Sequence, residues 1–401
     1  IVESSADNLS FVTVNNNLKG FDITGVNGAF NIITDHVIAT ASNKSEVIHT
    51  WTFTLTFVNL GTDQTENENS TLNIDVVLQK DKIPTTIADF CGNGDNLGNC
   101  IANYYNGLNT ASNIYYHDAN LTNGAGDNSY RFAGANPNNY VCFGSDDTTC
   151  PAENLYRIIG LIDGKVKLIH AYGATTDMLG TDEGYVSTYG SAPSYKGNGD
   201  LTKIGRYKWN KANNNTWSTS TTNTINLNKN FLAYLDGENT KWKNMIADTT
   251  WYVGGITYNN GQKSNAKTAY NYEVGANKDA TTTVISKIGL MYVSEYYYAA
   301  SEDYWTLPGW SSSGNDYRKS KNDNWLYTGL YEWTISRSSD DSGVAFDVYV
   351  TGDLSGGVVD HSLGGAVRPS LSLSSSIKFT SGKGTAVNPI RINLWLWIMH
   401  V

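Results

Sequence analysis

The dipeptide Asp163-Gly164 constrains the fold most, because it lies between two apolar stretches of strand-like sequence. Residues 155–160 and 165–172, on its two sides, are rich in Ile, Leu, Val and Tyr. Asp-Gly favours the type I′ turn, in which both central residues take positive φ and the twist matches that of the flanking strands. The pattern therefore predicts a tight antiparallel hairpin, and we expect this hairpin to open the C-terminal domain.

The first 85 residues alternate apolar and polar side chains over several short stretches. In residues 50–58, for example, threonines occupy one face and the other face carries Trp51, Phe53, Leu55 and Phe57. A period of two is typical of a strand with one buried face. Residues 1–85 are therefore predicted to form an N-terminal β-sandwich module.

Residues 86–150 are rich in Asn and Gly, which favour turns over regular elements. They are interpreted as a long connection that disulfides hold in place. Residues 151–393 are predicted to form a second domain with some helix, and residues 394–401 an apolar tail. The fold class expected is mainly β with a smaller α+β part.

Helices are expected at three places in the second domain. The first would begin at Asn223 or Thr224 and end at Asp236-Gly237, with an apolar face made of Leu227, Phe231, Leu232 and Leu235. Trp242 and Met245 indicate a second, short helix. Ser294 is expected to cap a third helix over residues 295–300, with Tyr297 and Ala300 packing inward.

Charge and hydropathy exclude several classes of partner. The 401 residues include 28 basic and 38 acidic side chains, giving a formal net charge of −10. Because there is no basic run, nucleic acid and anionic membranes are poor partners. The longest apolar run, residues 394–399, is far shorter than the ~20 residues of a membrane helix, so no membrane span is expected. The chain begins at Ile1, from which we expect a processed, secreted form whose signal peptide has been removed.

The four cysteines form two close pairs, Cys91 with Cys100 and Cys142 with Cys150. Neither pair has the spacing of a zinc knuckle, and no His lies beside them, so two local disulfides are predicted. The loops that they would close carry acidic residues with hard oxygen ligands suited to Ca²⁺, namely Asp95, Asp146 and Asp147. The alternative is that these loops form Asx turns that satisfy their own backbone. No other cofactor is expected.

Three aromatic-rich segments recur in a recognisable order in the C-terminal third, at residues 288–300, 324–336 and 365–373. This order resembles the C-type-lectin-like fold in the form found in formylglycine-generating enzymes. Residues from about 150 to 393 also resemble a family of uncharacterised bacterial surface proteins. The strand pattern of residues 49–60 resembles the N-terminal module of the same family and, more distantly, camelysin-like subunits of biofilm fibres.

The resemblance implies a fold that usually carries a binding surface and only rarely an active site. Formylglycine-generating enzymes use a cysteine pair late in the domain, and this chain has no cysteine after Cys150. The six histidines show no metal-binding spacing. Paired carboxylates for glycoside chemistry could come from Glu295, Glu302, Asp303 or Glu332. Glu332, however, is expected to bond within the core, and Arg368 to pair with Glu332 or Glu295, so the chain is predicted not to be an enzyme.

The lectin-like resemblance implies an exposed ligand face in residues 338–363, where strand-like alternation sets Val344, Phe346, Val348 and Val350 against Ala345, Asp347, Tyr349 and Thr351. Aromatic rings stack well on sugars. The candidate ligand-face residues are Trp305, Trp310, Tyr317, Asp340, Phe346 and Tyr349. The alternative for the aromatic residues is that they belong to the core.

Two functions are carried forward from these observations. The first is a non-catalytic, secreted subunit of a bacterial surface fibre, which self-assembles into a homopolymer by β-strand addition. An isolated strand at residues 8–15 and the apolar tail are the segments expected to add to a neighbour's sheet, through Phe11, Val12, Val14, Leu394, Trp395, Leu396 and Trp397. The alternative is that both ends pack onto their own chain. The second function is an adhesin or lectin that binds a glycan or a cell-surface protein through residues 338–363.

Overall fold

The computed structural model describes residues 11–14, 18–21, 86–107, 113–237 and 240–394. The chain divides into two compact units, Ile1–Lys80 and Asp81–Val401. In the first unit the described elements are the strands β1 (Phe11–Val14) and β2 (Leu18–Phe21), which pair in antiparallel fashion with Phe11 opposite Phe21. The strand predicted within residues 8–15 is present at Phe11–Val14, but it is not isolated, because β1 is paired with β2 of its own chain. The rest of the predicted sandwich lies outside the described residues.

The second unit is a mixture of helices and several small antiparallel sheets. Its strands are β3 (Ile114–His117), β4 (Ser129–Phe132), β5 (Tyr140–Cys142), β6 (Leu155–Ile162), β7 (Lys165–His170), β8 (Tyr185–Thr188), β9 (Gly205–Tyr207), β10 (Thr249–Tyr252), β11 (Thr283–Ser286), β12 (Ile288–Gly289), β13 (Glu332–Arg337), β14 (Val344–Val348), β15 (Leu354–Val358), β16 (Ser370–Ser372), β17 (Ile377–Ser381) and β18 (Arg391–Leu394). Its α-helices are α1 (Leu97–Gly107), α2 (Thr176–Leu179), α3 (Leu232–Asp236), α4 (Lys241–Asn244), α5 (Tyr258–Lys263), α6 (Ala266–Glu273) and α7 (Val293–Tyr298). The expected mixture of strand and helix is thus present.

The largest sheet has seven strands and contains the predicted hairpin. Its order is β12-β16-β7-β6-β4-β3, with β5 also pairing with β6. Asp163 and Gly164 join β6 to β7 with φ values of 51° and 69°, as a type I′ turn requires. The hairpin prediction is confirmed.

Residues 86–150 are part of this sheet and its core, so their prediction as a long irregular connection is wrong. They supply β3, β4 and β5 together with α1. Leu97 and Ile101 of α1 are fully buried in the same hydrophobic core as Ile158 of β6. Asn and Gly fill the turns between these short elements, and their number hides the few apolar residues that bury each element.

The helix expected after residue 222 exists, although its first part is not α-helical. It begins as a π-helix, Thr222–Phe231, and continues as α3 up to Gly237, whose φ is 36°. Leu227, Phe231 and Leu235 are buried as predicted. The second predicted helix is α4, whose Trp242 is 5% exposed.

Helix α7 begins two residues earlier than expected, and Ser294 is not its N-cap. The amide of Tyr292 donates to Glu295 Oε2 at 2.9 Å, and the amide of Ser294 donates to Glu273 Oε2 at 3.0 Å. Two buried carboxylates therefore satisfy the free amides at the start of this helix, which is the requirement that a serine cap would otherwise meet. Tyr297 and Ala300 are fully buried, as expected.

The C-terminal part of the described chain is a strand. Leu394 ends β18 opposite Ile377 of β17 and is partly buried against the core. The predicted apolar tail is thus continuous with a strand that begins at Arg391. Trp395, Leu396 and Trp397 lie outside the described residues.

Candidate functional site

Three of the predicted ligand-face residues lie in the core. Trp305, Tyr317 and Phe346 are 0%, 0% and 1% exposed. The indole of Trp305 donates to the Ala300 carbonyl at 3.0 Å, and the Tyr317 hydroxyl donates to the Tyr297 carbonyl at 3.0 Å. Because their polar atoms are satisfied inside the protein, these rings pack as core residues, and the prediction that they face a ligand is wrong.

The other three predicted residues are at the surface. Trp310 is 38% exposed and Tyr349 is 45% exposed. Asp340 is exposed too, but its carboxylate accepts hydrogen bonds from the Tyr258 amide at 2.8 Å and the Ser338 hydroxyl at 2.7 Å. Asp340 therefore holds the start of α5 and its own loop, which leaves Trp310 and Tyr349 as the surface aromatics of the prediction.

The three-stranded sheet β13-β14-β15 carries Tyr349 immediately after its central strand, β14. Its central strand, β14, was predicted to expose every second residue, yet Ala345, Phe346, Asp347 and Val348 are all buried. The side of the sheet that carries Ala345 and Asp347 is covered, because Tyr331 and Trp333 lie over it. The expected alternation in exposure is therefore wrong for this strand, and Asp347 is a buried carboxylate.

Four side chains on this side of the sheet form a group that we call the tyrosine–aspartate face, namely Tyr331, Asp347, Tyr349 and Ser355. Asp347 lies opposite Trp333 on β13 and opposite Ser355 on β15, so side chains at these positions share one side of the sheet. The Tyr331 and Tyr349 ring centroids are 6.2 Å apart, with the ring planes at 87°. The Tyr331 hydroxyl donates to Asp347 Oδ2 at 3.1 Å.

Two glycines let the Tyr331 ring lie this close to the sheet. A Cβ at Gly357 would fall 1.9 Å from the Tyr331 hydroxyl oxygen, and one at Gly365 would fall 2.7 Å from the Tyr331 ring. Any side chain at either position would push the ring outward. The two glycines therefore leave the space that Tyr331 occupies beside Asp347.

Asp347 is electrostatically unusual. Its side chain is fully buried, and its Oδ1 has no hydrogen-bond partner among the described residues. Burial raises the pKa of this carboxyl well above its usual range, and the nearby charge of Asp353 raises it further, whereas the Tyr331 hydrogen bond lowers it. A buried polar atom without a partner destabilises a fold, and together with the raised pKa it makes Asp347 a candidate for a binding role.

Two other buried carboxylates, Glu332 and Glu295, are paired with cationic side chains and have structural roles. Arg368 Nε donates to Glu332 Oε1 at 2.6 Å, with both side chains at most 2% exposed. This bears out the expected ion pair. Lys167 Nζ lies 2.5 Å from Glu295 Oε1, also buried. Of the carboxylates considered for glycoside chemistry, Glu295 and Glu332 are thus neutralised in the core, whereas Glu302 and Asp303 are exposed.

Both predicted disulfides are present, Cys91–Cys100 and Cys142–Cys150. Asp95 Oδ2 accepts from the Gly92 amide at 2.7 Å, which is the local turn that was the alternative to calcium. The described residues contain no group of three or more His, Cys, Asp or Glu suited to a metal ion. Asp147 is exposed, with its amide bonded to the Ser145 hydroxyl.

A cleft of about 360 Å³ opens beside the second disulfide, between its loop, α4 and the pair β17–β18. Asp146 lies in this cleft and pairs with Lys241 through both carboxylate oxygens, at 2.7 and 2.8 Å. Arg391 donates to the Thr148 carbonyl at 3.0 Å. Because the acidic and basic groups of the cleft bind one another, the calcium prediction at Asp146 has no support from this geometry.

Comparison with protein-family models, with curated proteins and with solved structures found no match. No helix among the described residues is both long and apolar enough to cross a membrane. The site must therefore be argued from its own geometry.

Sequence analysis missed the role of Tyr331 and the burial of Asp347. The alternation in residues 344–351 places Asp347 and Tyr349 on the same face. The alternation does not indicate that the ring of Tyr331, just before β13, would cover Asp347 and leave Tyr349 exposed. That arrangement depends on Gly357 and Gly365, which only the folded chain brings to Tyr331.

Proposed function

We propose that the chain is a non-catalytic, secreted protein of the bacterial surface, whose larger unit is a lectin-like domain that binds glycan through the tyrosine–aspartate face. The observation that carries this proposal is the exposed ring of Tyr349 beside Tyr331, above a buried carboxylate with a free oxygen. An aromatic ring next to hydrogen-bonding groups is the usual means by which proteins hold the apolar and hydroxylated sides of a sugar.

Other features support this proposal. The order of aromatic-rich segments resembles the C-type-lectin-like fold, which implies a ligand face in residues 338–363, and Asp347, Tyr349 and Ser355 of the tyrosine–aspartate face lie in that range. The two disulfides are typical of exported proteins. The paired state of Glu295 and Glu332 supports a binding function rather than glycoside hydrolysis, which needs two free carboxyl groups flanking the substrate.

The test is a glycan array probed with the full chain and with two variants. Tyr349→Ala removes the exposed ring of the face, and Ile285→Ala removes an exposed apolar side chain of β11, 73% exposed, as a matched control. We expect the wild-type chain and the control to bind the same glycans and Tyr349→Ala to lose most of the signal. The proposal fails if the wild-type chain binds no glycan, or if Tyr349→Ala binds as the wild type does.

Assembly into a fibre is a second proposal, and the edge of β18 favours it. On one side β18 pairs with β17. The other edge of β17 is occupied, because Phe379 exchanges hydrogen bonds of 2.8 Å with the loop at Gly94 and Asp95. On the other side, beyond Ile390, β18 makes no backbone hydrogen bond within the described part of the chain. An unpaired edge is a template for strand addition. Filaments in negative-stain images would support this proposal, and a uniform monomer of 43.9 kDa by light scattering would contradict it.

A further inference from the structure

The carboxylate of Asp347 has no cationic partner among the described residues. Every other fully buried Asp or Glu discussed above bonds to an Arg, to a Lys or to backbone amides. Asp347 receives a single hydrogen bond, from Tyr331, and its Oδ1 receives none. A second carboxylate, Asp353, is 7% exposed and close enough to act on Asp347. The site therefore places two acidic side chains beside two aromatic rings.

This combination favours a cation as the missing partner. The face of a tyrosine ring attracts a cation within about 6 Å of its centroid, and the attraction is strongest where water is excluded. A hydrogen bond in which both partners are charged is roughly twice as strong as a neutral one. An ammonium group at this position would satisfy Asp347 Oδ1 and lie against the ring of Tyr349.

The surroundings favour a sugar as the carrier of that ammonium group. The Tyr349 ring is exposed and can stack on the apolar face of a pyranose. Ser355, half-buried on the neighbouring strand, supplies a hydroxyl group at the rim. A lysine side chain would use the carboxylate and the exposed ring but would leave this hydroxyl group without a role.

We propose that the tyrosine–aspartate face binds a hexosamine with a free amino group, with its ammonium group on Asp347 Oδ1 and its ring on Tyr349. This inference rests on the proposed glycan-binding function and names the chemical class of its ligand. The ligand reaches Oδ1 by displacing the half-buried Tyr331 side chain, which is the group that covers Asp347.

Binding of the cation is coupled to protonation of Asp347. Because burial raises the pKa of this carboxyl, the free protein holds a proton there at a pH where an ordinary Asp has lost it. An ammonium group favours the ionised form, so binding releases the proton and strengthens as pH rises from 5 to 7, where a primary amine stays protonated. The titratable groups facing Asp347 are Asp353, Tyr331 and Tyr349, and burial raises the pKa of Tyr331 above its usual range, so Tyr331 does not ionise between pH 5 and 7.

The experiment is isothermal titration of the full chain with D-glucosamine at pH 5, 6 and 7, alongside D-glucose, N-acetyl-D-glucosamine and Nα-acetyl-lysine amide. We expect D-glucosamine to bind at least about ten-fold more tightly than the other three compounds, and more tightly at pH 7 than at pH 5. Asp347→Asn keeps the side chain's size and should weaken D-glucosamine binding at least about ten-fold. Asp303→Asn, a matched change at an exposed carboxylate, should leave it unchanged.

Each alternative result is decisive. Equal affinity for D-glucosamine and N-acetyl-D-glucosamine, or an unaffected Asp347→Asn, overturns the hexosamine site. If glycans still bind the array through Tyr349 in that case, the proposed function survives. Equal or tighter binding of Nα-acetyl-lysine amide overturns the sugar assignment in favour of a peptide ligand. If Asp347→Asn does not fold, the preference of the wild-type chain among the four compounds and its pH dependence decide the question.

Discussion

Removing Arg368 while keeping Glu332 should be among the most destabilising single changes in the larger unit. The two side chains form a buried ion pair at 2.6 Å, and Arg368 also donates to the Leu326 carbonyl at 2.8 Å. In Arg368→Met the methionine fills most of the volume, but Glu332 keeps only the Thr328 hydroxyl, at 3.1 Å, as a side-chain donor within the described structure. Breaking a buried pair in this way costs about 3–5 kcal/mol of unfolding free energy.

The pair Lys211–Glu183 provides the matched control, since its side chains are 62% and 45% exposed at a separation of 2.8 Å. Lys211→Met should cost no more than about 1 kcal/mol, because exposed ion pairs contribute little. The free energies would be measured by urea denaturation followed by tryptophan fluorescence, with the transition of the larger unit fitted separately. A cost for Arg368→Met within about 1 kcal/mol of the cost for Lys211→Met would refute the argument.

The pH dependence of the stability deficit, meaning the unfolding free energy that Arg368→Met loses relative to the wild type, gives an independent check. Burial already raises the pKa of Glu332, and Arg368 opposes that increase. Without Arg368 the folded-state pKa lies further above the unfolded value, so stability present at low pH is lost as pH rises. The deficit should therefore be larger at pH 8 than at pH 5, by at most about 1.4 kcal/mol for each unit of additional pKa shift. A deficit that shrinks as pH rises would contradict this account.

Three further predictions concern the core, the second disulfide and a buried carboxylate. Trp305→Ala should lower the unfolding free energy, measured by urea denaturation, by about 3–5 kcal/mol, because Trp305 is fully buried. Trp310, which is 38% exposed, should lose much less on substitution by Ala, and equal losses would contradict the burial assignment. Cys150→Ser should cost about 2–3 kcal/mol by the loop-entropy estimate for residues 142–150, and alkylation of the unreduced wild-type chain should label no thiol. Burial raises the pKa of Glu273 to about 7, so the wild-type chain should lose stability relative to Glu273→Gln as pH rises from about 4.5 to 7, and a constant difference across that window would exclude this titration.

The parts of the fold that the sequence predicts are those governed by local chemistry. Asp163-Gly164 predicts the β6–β7 hairpin because the turn type requires residues that tolerate positive φ. The helices at residues 222–236 and 241–244 follow from their apolar spacing. Pairing between strands that are distant in the sequence produces no comparable local pattern. For example, β16 pairs with β7, which lies some 200 residues earlier in the chain. That is why the sequence predicts a connection at residues 86–150, although β4 and β5 of this segment pair with β6.

The candidate site was only partly predictable for a similar reason. Aromatic residues make up 12% of the chain, and nothing local separates Trp305 from Trp310 or Phe346 from Tyr349. Their exposure is decided by which elements cover them, so half of the predicted ligand-face residues fall in the core. The Arg368–Glu332 pair was predictable because the aromatic motifs around both residues resemble a fold in which they are internal. No sequence motif predicted the contact between Tyr331 and Asp347.

The most direct test of the central claim is a crystal structure of the full chain with D-glucosamine bound. The account predicts sugar density against the Tyr349 ring, with the amino nitrogen within hydrogen-bond distance of Asp347 Oδ1 and the Tyr331 side chain moved aside. Sugar density in the cleft beside Lys241 and Arg391, with the tyrosine–aspartate face unchanged at a ligand concentration that saturates the protein in solution, would contradict it.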